Sequence, residues 1–117
     1  MNRNAGAFAA SGTLAGSVTP LPSATVTGPD LAHFGPFNPD VRPYIYTLTN
    51  YLSSNYSYDW KIVTVNAQPG MSHANANVLK VSDFDDVGIN RVIVTVKSGG
   101  IPIAVGVKNV EVRWTGY

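Results

Sequence analysis

The chain has 117 residues, eleven of them glycine and eight proline, with no cysteine and a formal net charge of +1. The missing cysteine excludes disulfides, thiol catalysis and cysteine-ligated zinc, and the near-neutral charge leaves no global field to draw in nucleic acid or an anionic membrane. Charged residues make up 13% of the chain, about half the usual ~25%, and no run of about 18 apolar residues offers a membrane-crossing helix.

The first 43 residues differ from the rest. They hold six of the eight prolines (Pro20, Pro22, Pro29, Pro36, Pro39 and Pro43), with Arg3, Asp30, Asp40 and Arg42 as their only charges. Asn4 to Thr19 is built almost wholly from Ala, Gly, Ser and Thr, and Phe8, Leu14 and Val18 stand alone as larger apolar groups. Such a segment buries too little apolar surface to offset its own ordering entropy. It predicts an extended arm over residues 1–21, mobile in isolation and fixed when docked on a partner. Phe8, Leu14 and Val18 are then candidate anchors that fill pockets of that partner. Ala5 to Ala10 is too short and too interrupted by glycine for the apolar region of a secretory signal, so none is expected. Phe34 and Phe37 are expected to cover an end of the domain that follows.

From Tyr44 onward the pattern is β. Tyr44, Tyr46 and Leu48 alternate with Ile45, Thr47 and Thr49, and Tyr56, Tyr58, Trp60 and Ile62 with Ser57, Asp59 and Lys61. Period-two alternation places one set on a core face and the other toward solvent. After the turn-prone Gln68-Pro69-Gly70, Leu79 and Val81 mark a short strand. Val92, Val94 and Val96 define another, and Ser98-Gly99-Gly100 reads as a hairpin connection to a last one. Beyond it the large apolar residues sit on odd positions (Ile101, Ile103, Val105, Val107) and then on even ones (Val110, Val112, Trp114). That phase change predicts a bulge at Lys108-Asn109, or a kink where the strand changes partner. No segment has a capped 3.6-residue period. The fold class expected is all-β, an antiparallel sandwich.

Three stretches resemble the polycystic-kidney-disease-like (PKD-like) domain family. Ala24-Thr25-Val26-Thr27-Gly28-Pro29 looks like its first strand and closing turn. Tyr56-Ser57-Tyr58-Asp59-Trp60-Lys61-Ile62 resembles its third strand, where a tryptophan packs at the centre. Val87-Gly88 followed by Val92-Ile93-Val94-Thr95-Val96 resembles its glycine-initiated sixth strand. The resemblance covers residues 22–114 and implies an immunoglobulin-like sandwich of about seven strands over 22–117. Asp86-Val87-Gly88 also echoes an immunoglobulin turn, although Asn90 stands at the tyrosine-corner position and Val92 at the second cysteine position.

Little in the chain carries reaction chemistry. Asp83, Asp85 and Asp86, with Asp59 on another strand, are the only acidic cluster. Their spacing matches no calcium loop, and they read as a solvated turn. His33 and His73 lie in separate loop-like stretches, and Ser72 beside His73 makes no triad. There is no nucleophile elbow, zinc helix or phosphate loop, so neither an enzyme nor a cofactor is expected. Tyr44, Tyr46, Tyr51, Tyr56 and Tyr58 fall within fifteen positions. Most belong to the core by their shared face with Trp60, and Tyr51 is the candidate for an exposed binding residue. Asn55-Tyr56-Ser57 fits an N-glycosylation acceptor, a short pattern that chance often supplies. Lys61, Lys97, Lys108 and Arg113 are dispersed over strands and form no nucleic-acid groove.

These features predict a non-enzymatic structural protein, a decoration or auxiliary protein on the surface of a phage virion. Its partners would be proteins of a capsid or tail, gripped through the arm and multiplied by valency. Members of the resembled superfamily serve such roles, although fold alone does not fix function. The alternative is an adhesive module of a bacterial surface or secreted protein that binds glycan or protein through aromatics. A homo-oligomer is compatible with open sandwich edges; nucleic acid and membrane insertion are not expected.

Overall fold

The computed structural model describes residues 20–64, 76–84 and 86–116. Phe8, Leu14, Val18, His73 and Asp85 lie outside these residues. The described residues form eight strands: β1 (Ser23–Ala24), β2 (Val26–Thr27), β3 (Leu31–Phe34), β4 (Tyr44–Leu48), β5 (Tyr56–Val63), β6 (Val78–Val81), β7 (Gly88–Ser98) and β8 (Ile101–Trp114). There is no helix among the described residues. One sheet has the order β1-β8-β7-β5, with β3 beside β8 as well, and the other is β2-β4-β6. Their buried faces share a single apolar core, the arrangement of a β-sandwich.

Alternation decides which side chains enter that core. Tyr44, Tyr46 and Leu48 of β4 are buried, as are Leu79 and Val81 of β6. Facing them from the other sheet are Trp60, Val92, Val94 and Val96. Trp60 also ties the sheets together, because its indole Nε1–H donates to the carbonyl of Ala76, just before β6 (2.8 Å). A buried tryptophan needs such an acceptor, or its polar edge costs what its ring gains. Phe84 fills the space beside Tyr44 and Tyr46, with ring centroids 5.5 and 6.4 Å away.

β8 corrects the expected phase change. Its core-facing positions are even from Ala104 to Val112: Ala104, Gly106, Val110 and Val112 are buried and Lys108 is half-buried, while Ile101 and Val107 are exposed. The ladder with β7 passes through Lys108 and Asn109 without a break, and the register shift lies instead between Val96 and Lys97, opposite Ile103. The misreading has a physical cause. Small residues occupy the core at 104 and 106, so the bulkier odd residues look like the inner set. A Cβ on Gly106 would lie 2.8 Å from Val26 Cγ2 and 3.1 Å from both Val94 Cγ1 and the Ala24 carbonyl. On its other edge β8 does change partner, from β1 at Val105 and Gly106 to β3 from Glu111 onward.

The expected all-antiparallel sandwich also needs correction, because β1 and β3 run parallel to β8. The chain reaches this edge by crossing between sheets. It leaves β1, enters the opposite sheet as β2 against β4, and returns as β3. Thr25, between β1 and β2, is held during the crossing: its N–H donates to Asn50 Oδ1 (2.8 Å) and its carbonyl accepts from the Thr49 N–H (2.9 Å). At the return, the Gly28 backbone lies against the Tyr46 ring, and the Tyr46 hydroxyl donates to the Pro29 carbonyl (3.0 Å).

Candidate binding surface

The described chain enters the domain at Pro20–Ala24, where backbone pairing with β8 is joined by burial of Ala24. The Val105 N–H donates to the Pro22 carbonyl (3.0 Å), and Ser23 and Ala24 then lie beside Val105 and Gly106. Because β1 runs parallel to β8, Pro20–Pro22 lie toward the start of β8, at the β7–β8 hairpin. Pro20, Leu21 and Pro22 are exposed there, and Ile101 at the same end is 67% exposed. Apolar groups left in water at one end of a sandwich form a surface that a partner can cover.

The outer face of the larger sheet is mixed. Val107 lies beside Ile93 and Val105 beside Thr95, while Leu31 and Ile89 flank Glu111. Charge is interleaved: Lys61 adjoins Ile93 and Arg113 is paired with Glu111 (2.9 Å), while Lys108, on the inner side of β8, bridges to Asp30. Glu111 is held below the ordinary carboxylate range by its hydrogen bonds from Arg113 and by the charge of that guanidinium.

One polar constellation that the sequence did not reveal sits in the β3–β4 connection. Asp40 Oδ2 lies 3.0 Å from His33 Nδ1 and accepts hydrogen bonds from the Tyr44 hydroxyl (2.8 Å) and the His33 N–H (3.1 Å). Asn38 Nδ2 donates to the His33 carbonyl (2.7 Å), and Asn38 Oδ1 accepts from the Asp40 N–H (2.9 Å). Burial pushes the Asp40 carboxyl up, but the hydrogen bonds from His33 and Tyr44 and the His33 charge outweigh it and hold the group low. A His–Asp pair orients a catalytic histidine only when a nucleophile faces the other ring nitrogen. Here the contacts named all join residues 33 to 44 to one another, so the constellation locks a loop. Next to it the Arg42–Pro43 peptide is cis, and Arg42 reaches Asp83 (2.7 Å). Asp83 is thereby drawn toward an arginine, and among the described residues no group of three or more His, Asp or Glu side chains could hold a metal ion.

No protein-family model, curated protein or solved structure matches this chain.

The aromatics distribute as follows. Tyr44 and Tyr46 are buried; Tyr51, Tyr56 and Tyr58 are half-buried against the core. Tyr51, the candidate binding residue, has a positive φ of 55°. Its carbonyl accepts the Tyr58 hydroxyl (3.1 Å), so its main chain is part of a turn that the core supports. Phe34 packs on the core and against Trp114, with ring centroids 5.5 Å apart. Phe37 does not cover the domain end as expected: it is 70% exposed, and Trp114 is 44% exposed. The Phe37 N–H donates to the Thr115 carbonyl (3.2 Å), which fixes the backbone there while the ring stays in water.

Proposed function

We propose that this is a non-enzymatic structural protein, an immunoglobulin-like domain that decorates a larger protein assembly and is attached through its N-terminal arm. A phage virion surface is the setting favoured. The strand orders support the immunoglobulin-like reading: β2-β4-β6 corresponds to strands A, B and E, and β8-β7-β5 to G, F and C. β1 and β3 then form one interrupted edge beside G, which brings the count to seven. Asn90 at the tyrosine-corner position is consistent with it, since its side-chain amide donates to the Asp86 carbonyl four residues upstream (2.9 Å).

The observation that carries the attachment reading is the entry of the chain at Pro20–Ala24. This strip pairs with β8 at Ser23 and Ala24, its Pro22 carbonyl accepts from the Val105 N–H, and Pro20–Pro22 are exposed at that end. A strip so placed is free to add to the sheet edges or fill the pockets of a partner, and symmetry multiplies a weak contact. Hydrogen exchange tests this. Residues 1–19 should exchange rapidly in the isolated protein and slowly in the native assembly, with Tyr44–Leu48 as a protected reference in both. Protection of residues 1–19 in the isolated protein would place the arm in its own domain and end the attachment reading.

The exposure of Phe37 and of Trp114 favours a second reading, an adhesive module that stacks on glycan or protein. In that case tryptophan fluorescence should respond to a glycan panel, and Trp114→Ala should abolish the response.

A further inference from the structure

β5 closes one end of the larger sheet. β7 pairs with one of its sides, and among the described residues no strand pairs with the other. An open edge presents N–H and C=O groups that water or another strand must satisfy, and isolated proteins blunt such edges by shortness, proline, bulges or charged side chains. β5 has no proline or bulge and is not short, and its two charges are of opposite sign, so they can pair with a second copy as well as repel one. It is eight residues long, contains no proline, and keeps unbroken register with β7 from Tyr56 to Val63. The other edge strands are much shorter, with two residues in β1 and β2 and four in β3 and β6.

The charges on β5 select a partner. Asp59 and Lys61 are its only ionised residues, and both point to the outer face. Asp59 is 60% exposed, with Lys97 at 3.4 Å on its β7 side. A second β5 added antiparallel about a two-fold axis normal to the sheet keeps outer face beside outer face. With the axis at Trp60, Asp59 faces Lys61 of the partner subunit, and Lys61 faces Asp59 of the partner subunit. With the axis at Asp59 or at Lys61, like charges would stand directly opposite, which is destabilising. The Trp60 register also sets Tyr58 opposite Ile62 of the partner subunit. Both are half-buried at the margin of the core, and the pairing would cover more of them. We propose that β5 is a dimerisation edge, and that its partner is a second copy of this chain in antiparallel register about Trp60. This inference is independent of the role of the arm.

Sedimentation of the whole chain from micromolar to near-millimolar concentration tests it. The wild type should form a dimer. Lys61→Asp makes the edge wholly acidic and Asp59→Lys wholly basic, so each alone should self-associate roughly tenfold or more weakly. An equimolar mixture should recover a heterodimer, because every acidic side chain again faces a basic one. A wild type that stays monomeric, variants that dimerise as well as the wild type, or a mixture that does not associate would each overturn the proposal. Salt gives a second measurement that does not need Asp59→Lys, whose fold also loses the Lys97 contact. Added salt should weaken the wild-type dimer and strengthen that of Lys61→Asp; the same response in both would overturn the register.

Discussion

Gly28 and Gly106 are held to glycine by their surroundings. A Cβ on Gly28 would run into the Tyr46 ring and lie 2.8 Å from the Ile45 carbonyl. At Gly106 the obstacles are Val26, Val94 and the β1 backbone. Larger side chains forced into a packed core cost about 1–3 kcal/mol. Gly106→Val should destabilise by the upper part of that range in urea unfolding, because backbone cannot move aside as a side chain can. A stability equal to wild type would mean that β1 does not lie against β8 in solution. Asp40 gives a second prediction, in pH. Its carboxyl is held below the ordinary 3.8 in the fold. A depressed carboxyl contributes in full above its unfolded value, and the contribution is lost as pH falls through the folded value. The melting temperature should therefore fall on acidification below about 4, in the same direction as the loss of Glu111. Asp40→Asn should lower the melting temperature at neutral pH and leave a shallower acid limb. A variant with an unchanged acid limb would show that the His33–Asp40–Tyr44 lock adds nothing.

Among the elements, the β7–β8 hairpin is the one whose turn chemistry is plainest. Ser98 pairs with Ile101, and the two residues between them, Gly99 and Gly100, have φ of 59° and 81°. Positive φ at both central positions is the pattern of a type I′ turn, which favours Asn-Gly. Nothing lies within 4 Å of a Cβ placed at either glycine. Gly99→Asn should therefore keep or raise stability by up to about 1 kcal/mol, whereas Gly99→Val should lower it, as thermal melts of the two would record. This hairpin was legible in the sequence because glycine pairs between valine-rich strands have few other uses. The alternation of β4 and β7 was legible for the same kind of reason: one face is buried and the other wet. β8 was misread because Ala104 and Gly106 carry little hydrophobic signal although they occupy the core. No period marks β1, β2 or β3, since two to four residues show none. Ala24–Thr27 is expected as a single strand only through the resemblance, and its division between two sheets, with β1 and β3 in parallel register on distant β8, was not legible. The lock around Asp40 was hidden for a related reason. It arises where the chain folds back between Phe34 and Tyr44, and no spacing in the sequence announces that His33, Asn38 and Asp40 will meet Tyr44.

At the scale of the whole molecule, folding and attachment make separate demands on the N-terminal segment, and truncation separates them. Ala24 and Val26 are buried in the core and close the space above Gly106. Among the described residues, the core begins at Ala24. A chain lacking residues 1–19 should therefore melt within a few degrees of the full chain, where about 1 kcal/mol corresponds to roughly 4–8 °C for a domain of this size. A chain lacking residues 1–27 loses β1 and β2, leaves the β8 edge open beside Val105 and Gly106, and strips Val26 from the core. Removing one such buried aliphatic group typically costs about 2–5 kcal/mol once the cavity is counted, so this form should melt far lower or not fold. The shorter deletion then becomes the decisive reagent for the proposed role. Folded but unable to enter the native assembly, it would tie attachment to the arm. If it were folded and still incorporated at the level of the full chain, attachment would lie on the sandwich itself, and Phe37, Trp114 and the hairpin end would be the next surfaces to alter.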